Sequence, residues 1–182
     1  IEFAEQQTLV PEFDHLVKAT TALQKEFWEA MGKPKASRPP GLAKQYMDTT
    51  SAMLNTLDKL SGSLAAAINH QDATIDQLLA IKQNAWLLRN TAGEASLIVS
   101  IGLNAGKVAP EARLAYTKYV GGTEAAWSAL ESAASGMQLP PAISSAMAST
   151  KTAYFEPQYL SLRDRLLTQV AAGEKPELTP NQ

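Results

Sequence analysis

The sequence predicts an all-α protein, an elongated antiparallel helical bundle of about five long helices with the last one broken near Pro157. Three observations carry this. Apolar residues recur at steps of three and four along most of the chain, as in Phe13, Leu16, Val17, Thr20, Leu23 and Phe27. Alternating stretches are rare, and no Asn-Gly hairpin signal occurs. Proline and glycine cluster at intervals of about one long helix, most densely in "GKPKASRPPG" (32–41).

The segments follow in order. The first helix is expected over 3–31 and ends at that Pro/Gly loop. The second, over 42–69, carries Leu42, Tyr46, Met53, Leu57, Leu60, Leu64 and Ile68 on one stripe. The polar turn "NHQD" (69–72) follows, with Asp72 placed to cap a third helix over 72–104, roughly 50 Å long. "NAGKVAPEAR" ends that helix near Gly106. It starts a fourth over 110–135, with Pro110 in the first turn and Glu111 where the helix dipole favours an acid. Pro140 and Pro141 open a fifth over 140–172, which Pro157 should kink or break because proline removes a backbone donor.

Composition bounds the function. The chain has 182 residues, enough for a single domain; 45% are apolar and 19% charged, and net charge is −2. Without a basic run there is no footprint for nucleic acid. Without cysteine there is no disulfide, thiolate metal site or thiol nucleophile. No run of 18 apolar residues and no signal peptide occurs, and a start without Met reads as an excised or processed segment. His15 and His70 each stand alone, so no metal or other cofactor is expected. Ser96 and Ser100 lack a nucleophile elbow or a nearby base, and Gly121 and Gly122 lack the strand of a phosphate loop and read as a bend or close helix contact. No catalytic constellation emerges, and the chain is not expected to be an enzyme.

One stretch stands apart: "WLLRNTAGEASLIVSIGLNAGK" (86–107). Arg89, Gly93, Ser96 and Ser100 follow steps of four, three and four, with Ala92 and Ala95 alongside, so small residues and one cation share a narrow face. Two readings fit it. The face lines a small-molecule pocket, with Trp86, Arg89, Asn90, Gly93 and Ser96 around a ligand and Arg89 offering its fork to an oxyanion. Or the small residues allow close packing, with Arg89 paired to a carboxylate of another helix. Either reading expects a neighbouring helix close to Gly93. Trp28, Trp127, Tyr116, Tyr119, Tyr154 and Phe155 are further aromatic candidates for a pocket or for the core.

The segment "LRNTAGEASLIVSIGLNAGKVAPEARLAYTKYVGGTEAAWSALE" resembles the middle of helical extracytoplasmic sensor domains related to the nitrate- and nitrite-sensing type, which show an Arg and a Gly before an apolar helix, a small-residue turn and a "P-E-x-R" helix start. "AYFEPQYLSLRDRLLTQVAAGEKPELTPNQ" is similar to the helix and Gly-containing loop that follow in that family. The resemblance covers about 85–182. It implies a single periplasmic or extracytoplasmic ligand-sensing domain, held between two transmembrane helices of a bacterial receptor with a kinase, chemoreceptor or cyclase output. It places the ligand-proximal Arg and Gly on Arg89 and Gly93. Glu94 departs from the basic pattern of some members, so an organic acid or amino acid stands beside nitrate among the small anions implied. Such receptors act as homodimers. A helical scaffold or adaptor without ligand is the alternative. Five reversing helices leave the two chain ends apart, and Thr179 with Pro180 resembles a helix start, so a sixth helix is expected after Gln182.

Overall fold

The computed structural model describes residues 2, 3 and 5–178. The described residues are predominantly helical, without strand. Six α-helices and a short 3-10 turn at Lys35–Ser37 make up the order: α1 Gln6–Met31, α2 Leu42–Ile68, α3 Ala73–Ala105, α4 Pro110–Ala134, α5 Pro141–Tyr154 and α6 Pro157–Ala171. The expected fifth helix is two, because Pro157 opens α6 at its first position and Phe155 and Glu156 leave helical geometry before it. The remaining boundaries fall within a few residues of the sequence reading, α3 starting directly after Asp72. The proposed helix start at Thr179 and Pro180 lies outside the described residues.

The chain divides into two compact units, residues 1–73 and 74–182. The first is a hairpin of α1 and α2. The stripe from Phe13 to Phe27 is half-buried, and Thr20 and Leu60 are buried. Phe27 stacks on Tyr46 with ring centroids 5.3 Å apart, and Thr56 donates to the Glu12 carboxylate at 3.2 Å. Arg38 closes the connection by donating to the carbonyls of Lys33 and Met31, two acceptors that the end of α1 leaves open. Trp28 and Met47 are exposed here.

In the second unit α3 buries Ile81, Leu88, Ala95, Val99 and Gly102, a stripe at steps of seven, seven, four and three. Two clusters form on it. Ala95 and Val99 pack with Tyr116 of α4 and with Leu166 and Leu167 of α6. Leu88 packs with Ala126, Trp127 and Leu130 of α4, joined by Met147 of α5 and Phe155. Thus α6 serves one half of the α3/α4 pair and α5 the other. Two glycines set the close approaches. A Cβ on Gly122 would lie 3.3 Å from Thr91 Cγ2, and one on Gly102 would lie 2.7 Å from Val108 Cγ2. The Gly-Gly pair is therefore a close helix contact at Gly122, while Gly121 faces open space.

Candidate functional site

α5 buries none of its residues fully. Its inner stripe, Ile143, Met147, Thr150 and Tyr154, is only half-buried. The cause is a groove of about 720 Å³ between α5 and the α3/α4 pair, a volume ordinary for a small-molecule site. α3 supplies Leu78, Ile81, Ala85, Leu88, Arg89 and Ala92 to its wall, and Lys82 as well. Trp127 and Leu130 form the α4 side, and Ala142 and Ala146 complete α5. None of the lining residues is acidic.

Of the five residues expected at the site, Arg89 alone lines this groove. Arg89 is exposed, donates to Asn90 Oδ1 at 3.1 Å, and holds its guanidinium 5.7 Å from the Trp86 ring centroid. Among the described residues it has no carboxylate partner. Trp86 and Asn90 contact Arg89 but do not line the groove, and among the described residues the buried Trp86 Nε1 has no hydrogen-bond partner. The Ser96 hydroxyl donates to the Ala92 carbonyl on its own helix. Gly93 is exposed, and a Cβ there would meet nothing within 4 Å. The expected close neighbour at Gly93 is thus overturned; on α3 that role falls to Gly102, directly after Ile101.

This yields a first prediction. Gly93→Ala adds helix propensity without a clash and should stabilise the protein by about 0.5–1 kcal/mol, read from the urea midpoint. A loss of stability would mean that a side chain does approach that face.

Behind the groove lies a polar network that sequence reading did not single out. Arg163 on α6 is 5% exposed. Its Nε donates to the Tyr116 hydroxyl at 2.6 Å, and its Nη1 donates to the Tyr154 hydroxyl at 2.7 Å. The guanidinium lies 5.4 Å from the centroid of each ring. The Tyr116 hydroxyl in turn donates to the Asp164 carboxylate. Tyr154 also interacts with Thr123, whose hydroxyl is 3.0 Å from that of Thr91. One chain of polar contacts thus ties α3, α4, α5 and α6 together at the level of the α5/α6 break. The available signal was positional: Arg163 precedes Leu166, Leu167 and Val170 by three, four and seven residues, so it occupies a core position of the helical repeat.

The electrostatics give a pH signature. Burial pushes the Tyr116 hydroxyl far above the ordinary tyrosine value of 10.0; Asp164 pushes the same way and Arg163 opposes. Burial also raises Tyr154, against Arg163 and Thr123. An unfolded chain ionises both groups near pH ~10, while the fold keeps them protonated. The unfolded state then binds fewer protons, so this contribution is complete below that pH and is lost as pH rises above it. The urea midpoint should therefore fall between about pH 9 and about pH 11, and Tyr116→Phe should flatten the fall. An unchanged slope in Tyr116→Phe would assign the alkaline loss to other groups.

Among the described residues no three His, Cys, Asp or Glu side chains are grouped to hold a metal, and no helix is long and apolar enough to cross a membrane. The described residues form a helical protein with an interhelical groove. Comparison with protein-family models, curated proteins and solved structures finds no match to this chain.

Proposed function

We propose that the chain is a ligand-sensing helical module, the extracytoplasmic part of a membrane-bound receptor, with the groove along α3 and α5 as its binding site. The observation that carries this reading is Tyr154. It lines the groove and also holds Arg163 of α6 across the α5/α6 break. A ligand seated against α5 acts directly on the contact that joins α5 to α6. To signal, it must bind one arrangement of the two helices more tightly than the other. In the second unit α5 packs on one cluster and α6 on the other, so α5 can shift while α6 stays in place. The polar groups that line the groove are a guanidinium, a lysine amine, a threonine and a tyrosine, a set that suits binding.

The lining speaks against a small bare anion such as nitrate. The groove is apolar and open rather than an enclosed polar cavity, and it rewards a ligand with an apolar body. The test is a thermal-shift panel of inorganic anions, organic acids, amino acids and larger amphiphiles on the wild type and on Ala146→Trp, which fills the groove from an exposed helical position. A compound that stabilises only the wild type supports the reading. If every stabilising compound acts equally on both proteins, the groove is not the sensing site.

The adaptor reading draws on a separate observation. Trp28 and Met47 of the first unit are 65% and 63% exposed beside the Phe27–Tyr46 stack, and large exposed apolar side chains are common anchors for protein partners. An adaptor would lose its partner in Trp28→Ala and would be indifferent to Ala146→Trp.

A further inference from the structure

From the charge and shape of the groove we infer its ligand class: a single-chain aliphatic carboxylate, with its acid head at Arg89 and Tyr154 and its chain running toward Leu78 and Ile143. This rests on the groove being the binding site. The two ends of the groove differ. The Thr91–Thr123 contact and the interaction of Thr123 with Tyr154 set the end of α5 level with Thr91 of α3. Arg89 and Ala92 therefore stand at the Tyr154 end, together with Thr150 one turn back on α5. At the other end lie Leu78, Ile81, Ala142 and Ile143, with Lys82 beside them. From Leu78 to Ala92 the helical rise gives a length of roughly 20 Å.

The polar end is positive. Among the described residues Arg89 has Asn90 and the Trp86 ring as partners but no carboxylate, so its fork is open to an anion from solution. Arg163 lies behind Tyr154 with its charge partly offset by Asp164 at 3.8 Å, and none of the groove-lining residues is acidic to offset Arg89. A carboxylate fits the planar fork of Arg89 and can accept from Tyr154 or Thr150. Apart from Lys82, the remaining wall is leucine, isoleucine, alanine and methionine, with Trp127 the one large ring apart from Tyr154. Such a long aliphatic trough suits a flexible alkyl chain better than a stacked ring system.

The test uses isothermal titration of the whole chain with decanoate, decanol and decyltrimethylammonium, each below its micelle-forming concentration. Decanoate should bind at least tenfold more tightly than decanol, and the cationic analogue should not bind. Arg89→Ala should weaken decanoate tenfold or more and leave decanol unchanged. Ala146→Trp and, as a second filled groove, Ala142→Trp should remove both, with circular dichroism confirming that each variant is folded. If decanol binds as well as decanoate and the filled grooves still abolish both, the acid-head assignment is overturned while the groove remains a binding site. Binding that survives both tryptophan variants overturns the groove itself. No binding of any of the three compounds overturns the aliphatic class, and the wider panel on wild type and Ala146→Trp then judges the sensing reading independently.

Discussion

Arg163→Ala should lower stability by about 3–5 kcal/mol, the range for removing one partner of a buried charged network. The guanidinium is 5% exposed, touches two aromatic rings, and donates to two tyrosine hydroxyls. Its removal leaves the Tyr154 hydroxyl without its Arg163 donor and the Tyr116 hydroxyl with Asp164 alone, and each such loss costs about 1–3 kcal/mol. The side chain also fills volume between α4, α5 and α6, so a cavity adds to the loss. Against the 5–15 kcal/mol typical of whole domains (a general range, about), this is a large fraction. Replacing the arginine and both tyrosines at once, as Arg163→Met with Tyr116→Phe and Tyr154→Phe, removes these three buried polar groups together and should cost less than Arg163→Ala alone. Urea unfolding followed by circular dichroism measures both. An Arg163→Ala loss below about 1 kcal/mol would show that the network does not hold the helices together.

How far the sequence could be read depended on which interactions were local. Helix ends were legible because Pro110, Pro141 and Pro157 mark starts through backbone chemistry that needs no neighbour. The stripes of α1 and α2 were legible because 3.6-residue periodicity survives any packing arrangement. Arg89 was legible as a lone cation on a small-residue face. Its surroundings were not, because the groove depends on how far α5 stands from α3, and nothing in "PAISSAMASTKTAY" encodes that distance. Arg163 went unread because "LRDRLL" presents two arginines around an aspartate, which reads as a solvated helix face. Only the register with Leu166, Leu167 and Val170 turns Arg163 inward, while Arg165 on the same helix turns outward to Glu177. The pair of glycines on α3 shows the same limit. Gly93 and Gly102 are equally good marks of a close approach in sequence, and the connection after α3 decides between them by folding Val108 onto one and leaving the other open.

That connection sets the second large effect. Gly102→Leu should cost about 3 kcal/mol, the upper part of the range for overpacking a filled core. Gly102 is buried, and a Cβ there would stand 2.7 Å from Val108 Cγ2 and 3.7 Å from Val170 Cγ1. Val108 cannot swing away freely, because it is half-buried against the cluster of Ala95, Val99 and Tyr116 and has a single branched carbon to rotate. The turn that brings it there runs through Gly106 at φ 64°, a left-handed geometry that other residues adopt at a cost, so the backbone of the connection has little room to relax. Gly102→Ala sets two effects of similar size against each other: about 1 kcal/mol of helix propensity gained and about 1–3 kcal/mol of crowding. The distance of 2.7 Å makes crowding win, so Ala should be mildly destabilising where Ala at Gly93 stabilises. Val108→Ala should relieve the clash. In a double-mutant cycle Gly102→Ala with Val108→Ala should therefore be more stable than the sum of the single changes, by about 1 kcal/mol. A cycle that adds without coupling would place the added methyl away from Val108 and leave the close packing of α3 against its own connection without support.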